Sequence, residues 1–182
     1  GQRYYMEVRF KEGTGGDGAT VAVRNDNTVP GQGEIIPAAF LEFPAGMNPP
    51  PTPIGVELYT QYPTAGGNLP YFGATTADLN GPTNSLAWLQ KLPNAAGFTR
   101  YFGFNTNLLD APGGLNNYAG RLYSHFVAPS NGVYKFYVRV DDAAQRLMNT
   151  NAVNSTDPAG MSLMGQILTY AGAFPAGGGN SG

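Results

Sequence analysis

An all-β fold is predicted by three features of this sequence. Its apolar runs are short, aromatic and β-branched; several alternate with a period of two; and 26 glycines and 15 prolines interrupt the 182 residues every few positions. A period of two sends successive side chains to opposite faces of a strand, and Gly/Pro punctuation suits turns between strands better than long helices. With 42% of its residues hydrophobic, the chain can bury one core of domain size.

The same composition excludes several function classes. A net charge of −2 provides no basic field for a phosphate backbone, so nucleic acid is not an expected partner. The absence of cysteine rules out a disulfide framework and any thiolate metal site. No apolar run is long enough to form a membrane-spanning helix.

Taken in order, residues 3 to 24 read as a hairpin. Tyr4, Met6, Val8 and Phe10 fall on one face and Arg3, Tyr5, Glu7 and Arg9 on the other; after the loop from Lys11 to Gly18 the pattern resumes through Val21 and Val23. The glycines of this loop are followed by a strand. A phosphate-binding loop would need a lysine and a hydroxyl opening a helix there, so the expectation is a flexible turn. Because the chain opens already in strand alternation, it is predicted to be a mature or excised piece of something longer.

Residues 35 to 41 add a short apolar segment, and Pro44 to Pro53 then holds five prolines and no charge. Such a segment favours the polyproline conformation, at about 3.1 Å per residue, and reads as a linker able to hold two bodies roughly 30 Å apart. The expected organisation is therefore 1–43, a linker at 44–53, and 54–182. A strand at Ile54 to Tyr59 opens the last part, followed by a long irregular section with a short helix expected over Asn84 to Leu92, stopped by Pro93.

The most patterned stretch is Tyr118 to Asn149. Leu122, Ser124 and Phe126 alternate with Tyr123, His125 and Val127; Tyr134, Phe136, Val138 and Val140 alternate with Lys135, Tyr137 and Arg139. Between them Pro129 and Asn131-Gly132 supply turn chemistry, which predicts a second hairpin. At its far end stand two adjacent acids, Asp141 and Asp142. Asn149 to Pro158 follows as a polar loop, residues 161 to 170 return to apolar character, and 176 to 182 form a glycine-serine tail.

Tyr118 to Leu122, Pro129 to Tyr134, and Val140-Asp141-Asp142 together resemble the PA-fourteen domain, the lectin-like β-sandwich named after the protective antigen of anthrax toxin. Gly55 to Tyr59, Thr76 to Leu79 and Phe104-Asn105 are similar to that family's opening section, as found in large bacterial surface proteins. Gly1 to Glu7, Lys11 to Asp17 and Ala19 to Val23 are similar to its closing strands, which should follow Asp-Asp. The resemblance thus implies an antiparallel β-sandwich of PA-fourteen type in permuted order, with a short helix in a long loop. No repeat occurs within the 182 residues; the permuted order itself predicts a tandem unit cut out of register. Residues 1–43 would then close the sandwich of an adjacent copy, with Tyr4, Met6, Val8, Phe10, Val21 and Val23 on the joining strands. Closure within one chain, with Pro44 to Pro53 crossing the molecule, is the alternative.

Adjacent carboxylates repel unless neutralised, and hard oxygen ligands suit Ca²⁺. In flocculin-like members an Asp-Asp pair binds calcium with help from a neighbouring loop, so the resemblance implies a Ca²⁺ site at Asp141 and Asp142, with Asp17 of the loop Gly13 to Gly18 as third ligand. The flocculin asparagine has no counterpart here, and a solvated Asp-Asp turn stays open. His125 is the only histidine, which leaves no metal triad and no Ser-His-Asp arrangement. The spacing of Glu7, Glu12, Glu34, Asp110 and Asp142 selects no glycosidase pair. Trp88 and Tyr101, with Tyr59, Tyr62 and Tyr71, are candidates for stacking on sugar rings, set against filling the core. Asn154-Ser155-Thr156 is a formal glycosylation acceptor. No enzyme is expected. The expected function is a structural or adhesive subunit or repeat of an extracellular fibre or cell-surface protein, joining other copies head to tail by strand complementation; the alternative is a calcium-dependent module binding glycans in a secreted adhesin or enzyme.

Overall fold

A computed structural model of the chain describes residues 1–12, 18–25, 30, 35–42, 54–60, 95–99, 103–104, 118–140 and 143–167. The predicted all-β class is the class found: the described residues form antiparallel sheets with only two short 3-10 turns, at residues 38–40 and 158–160. The helix expected at 84–92 lies outside the described residues.

The larger sheet holds β1 (Arg3–Glu12), β3 (Leu41–Glu42), β4 (Ile54–Thr60), β5 (Ala95–Thr99), β7 (Tyr118–Val127), β9 (Ala143–Met148) and β10 (Ser162–Ile167). Its order is β10-β9-β1-β7-β4-β5, with β3 also beside β7. The smaller sheet holds β2 (Ala19–Arg24), β6 (Gly103–Phe104) and β8 (Lys135–Val140), in the order β6-β2-β8. One core lies between the two sheets. Met6, Val8 and Phe10 from β1, Ile54, Val56 and Leu58 from β4, and Leu122 and Phe126 from β7 meet Val21 from β2 and Phe136, Val138 and Val140 from β8. These are the apolar faces that the alternation marks out. Gly120 on β7 has a packing reason of its own: a Cβ there would run into the Phe10 ring.

Both expected hairpins are absent, and for one reason. β1 pairs with β7 and β9 whereas β2 pairs with β6 and β8; likewise β7 and β8 belong to different sheets. The connections after β1 and after β7 therefore cross from one sheet to the other. Alternation identifies a strand's apolar face but not its neighbour, and here consecutive strands set those faces against each other across the core instead of side by side. Phe126 of β7 meets Phe136 of β8 edge to face, with ring centroids 5.0 Å apart at 80°.

The two sides of the proline-rich segment are related in an unexpected way. β3 places Leu41 opposite Phe126 and Glu42 opposite His125. β4 places Gly55 opposite Tyr123 and Val56 opposite Leu122, also antiparallel to β7. Both pieces thus run in the same direction along the same strand, and Ile54 follows Glu42 there as the next position. The facing pattern is continuous too: Leu41, Ile54, Val56 and Leu58 all enter the core. β3 and β4 are one strand in two pieces, interrupted between Glu42 and Ile54. Within a single chain, the linker expected to span a distance begins and ends at adjacent positions.

Candidate functional site

The expected joining strand, β1, is an interior strand here. Its ten residues pair without a break with β7, from Arg3 opposite Val127 to Glu12 opposite Tyr118. On its other edge, Met6 to Lys11 pair with Met148 to Ala143 of β9. Met6, Val8, Phe10 and Val21 are fully buried, while Tyr4 and Val23 pack partly buried against the core. Residues 1–42 thus supply strands to both sheets, and every long pairing they make is with residues after 117.

A charged network ties the outer face of β1 to the rest. Glu7 is 1% exposed; it accepts hydrogen bonds from Arg9 Nε at 2.6 Å, Tyr5 hydroxyl at 3.1 Å and Arg121 Nη1 at 3.2 Å. Arg121 also grips Glu57 of β4 through two parallel bonds, Nε to Oε2 at 2.6 Å and Nη2 to Oε1 at 2.8 Å. Such a fork fixes geometry as well as charge. Its guanidinium lies 4.6 Å from the ring centre of Tyr123, and that ring occupies the space a Cβ at Gly55 would need. Burial works against the charged form of Arg121, but the Glu57 hydrogen bonds and the charges of Glu7 and Glu57 outweigh it and hold the guanidinium firmly protonated. Burial first, then the Glu7 carboxylate, push the Tyr5 hydroxyl well above its ordinary range; burial and Glu57 raise Tyr123 similarly.

The loop after β9 completes the enclosure of β1. Asn149 Nδ2 donates to the carbonyls of Asn154 at 2.6 Å and Asp157 at 2.7 Å, and its Oδ1 accepts from the Asn151 amide at 2.9 Å. So held, the loop bonds β1 directly: Tyr5 N–H donates to the Ser155 carbonyl at 2.7 Å, Asn149 N–H to the Tyr5 carbonyl at 2.9 Å, and Ser155 hydroxyl to the Arg3 carbonyl at 2.5 Å. His125, as its isolation in the sequence suggests, is a hydrogen-bonded strand residue, its Nε2 lying 3.3 Å from the Thr156 carbonyl. Burial lowers its pKa, opposed by that bond.

Asp141, Asp142 and Asp17 lie outside the described residues, as do Trp88 and Tyr101. Among the described residues, no group of His, Cys, Asp or Glu could hold a metal ion. The described flanks of the two acidic segments are nevertheless neighbours: Val140 pairs with Ala19, and Ala143 with Lys11. The network residues Glu57 and Arg121 and the loop organiser Asn149 were not singled out by the sequence. The available signal was slight: in a chain only 12% charged, Glu7 and Arg9 stand two apart on one strand face. Comparisons with known proteins found no match to this chain among family models, curated proteins or solved structures.

Proposed function

We propose that this chain is a structural or adhesive subunit, or repeat, of an extracellular fibre or cell-surface protein, of permuted PA-fourteen type, whose copies join head to tail by exchanging residues 1–42. The interruption between β3 and β4 is the observation that carries this reading. Everything before it supplies β1, β2 and β3, everything after it supplies their partners, and only residues 43–53 join the two parts covalently. The contacts that β1 makes with β7 and β9 are equally available to β1 of a second copy, as in any exchange of an identical element. Proline favours the exchanged form. A segment stiffened by five prolines between 44 and 53 resists folding back on adjacent positions, while its polyproline reach of roughly 30 Å suits a bridge between bodies. Since each copy both gives and receives a part, exchange that does not close on itself yields a filament.

Calcium enters the same proposal. Asp141 and Asp142 of one copy, with Asp17 from the exchanged part of the next, would supply hard oxygen ligands across the joint; support comes from the pairing of their described flanks.

The absence of cysteine makes a decisive crosslinking experiment clean. Arg3 stands opposite Val127 at the end of the β1–β7 ladder, so R3C and V127C proteins are mixed, assembled at high concentration and oxidised. A disulfide between the two chains is the expected result. If the bond forms only in the R3C/V127C double variant, within one chain, exchange does not occur.

A further inference from the structure

A cationic cavity opens at the end of the core away from the two acidic segments. Arg146 lies on β9 between Ala144 and Met148, so its side chain enters the space between the sheets. The residue is 7% exposed. Its Nη2 donates to the Met164 carbonyl at 3.2 Å, and its guanidinium lies 5.1 Å from the ring centre of Phe136. Nε and Nη1 are buried and have no hydrogen-bond partner among the described residues. The cavity it lines has a volume of about 670 Å³. Tyr4, Phe126, Tyr134, Phe136 and Met148 form the apolar wall, and among the described residues no acidic one lines the cavity. Burial alone lowers the guanidinium to about 10, so it stays charged at neutral pH.

A buried, charged guanidinium with unsatisfied donors is an expensive arrangement, one that an apolar side chain of similar volume would relieve. The Arg121 network illustrates the contrast: there, two carboxylates answer one guanidinium. At Arg146 the answering anion must come from outside the described residues, and the cavity gives it room. The wall specifies the rest of the ligand. Aromatic rings and methionine side chains receive an apolar or ring-shaped body, while a single planar cation matches the single charge of a carboxylate better than a multiply charged anion.

We propose that Arg146 and the aromatic cavity it lines form a binding site for a small organic carboxylate with an apolar or aromatic body. The carboxylate accepts from one of the two unpartnered donors, Nε or Nη1, which point to opposite sides of the guanidinium, and the body lies against Phe136 and Phe126. The site is the same in the intrachain and exchanged forms, since Gly1, Gln2 and Tyr4 of the exchanged part would meet the same partners in both.

Calorimetric titration with sodium benzoate, at constant ionic strength in chloride, tests the site on the intact chain. Saturable binding is expected in the wild type, with acetate and inorganic phosphate weaker by about tenfold or more because neither uses the aromatic wall. Arg146→Met should lose benzoate binding by about tenfold or more, while Arg146→Lys retains part of it as a point charge. Thermal melting separates a ligand site from a purely structural arginine: without benzoate, Arg146→Met should melt above the wild type, and benzoate should raise only the wild-type midpoint. Three outcomes would overturn the proposal: no saturation by benzoate in the folded wild type, equal affinity in Arg146→Met, or an Arg146→Met protein that melts lower while benzoate leaves the wild type unmoved.

Discussion

Asn149 and His125 flank β1 from opposite sides, and both act by holding the loop 149–161 over it. Asn149 makes three hydrogen bonds inside that loop while almost wholly buried. Replacing it by alanine removes all three and strands two carbonyls and an amide, so Asn149→Ala should lose about 2–4 kcal/mol, measurable as a lower urea midpoint at unchanged slope. His125 responds to acid. Its folded pKa lies below the unfolded value of about 6.5 because burial disfavours the cation. A depressed folded pKa means that the neutral form's contribution is complete above about pH 6.5 and is lost as pH falls through the folded value. Stability measured at pH 7.5 and at pH 5 should therefore fall, and His125→Gln should flatten that part of the profile; an identical acid slope in the variant would assign it elsewhere. Neither role is marked by a motif. A lone histidine and one asparagine among many acquire their functions from partners two to thirty-one residues away: Asn151, Asn154 and Asp157 for Asn149, and Thr156 for His125.

β1 and the divided strand β3/β4 raise the element-scale question of what makes a strand shareable. β1 carries a strong alternation, Met6, Val8 and Phe10 against Tyr5, Glu7 and Arg9, and that much is legible directly. The alternation does not reveal that the charged face is also covered, with Glu7 at the centre of a network reaching β4 through Arg121. Nor does it reveal that β3 and β4 are in register along β7. That register makes a sharp prediction. Deleting residues 43–53 joins Glu42 to Ile54 as consecutive positions on β7, so the shortened chain should fold with one continuous strand and lose its hinge. Light scattering should find it monomeric at concentrations where the full chain assembles. Assembly undiminished by the deletion would remove 43–53 from any role in joining copies. Leu41, Ile54, Val56 and Leu58 already keep one face to the core across the cut, so the melting temperature should change little.

For the whole molecule, the decisive quantity is whether residues 1–42 close on their own chain or on another. The intrachain and exchanged forms share the same strand pairings, so their difference in free energy lies in the segment 43–53 and in any ion at the joint. Because exchange is bimolecular, dilution should favour monomers, and the proline-rich segment should slow their return. Calcium adds a separate test. If Asp141, Asp142 and Asp17 hold an ion across the joint, a chelator should shift assembled protein towards smaller species in analytical ultracentrifugation, and added calcium should reverse the shift. Assemblies indifferent to chelation would dispose of the calcium joint and leave strand exchange standing.

The all-β class, the positions of β1, β2, β4, β7 and β8 and their inward faces were legible locally, because alternation is a local property and the hydrophobic effect acts on each strand's apolar side whatever its neighbours are; β5 and β6 fall in the section expected to be irregular. The prolines between 44 and 53 predicted a linker, but the strands on either side of it share one core. Which strands are neighbours follows from the fold as a whole. The tertiary structure turned two expected hairpins into connections between sheets, set β1 between β7 and β9, aligned β3 with β4, and left Arg146 charged in a cavity with an aromatic wall. Each of these depends on pairing between segments far apart in the chain, where backbone hydrogen bonds are interchangeable and register is chosen by the fit of the whole core.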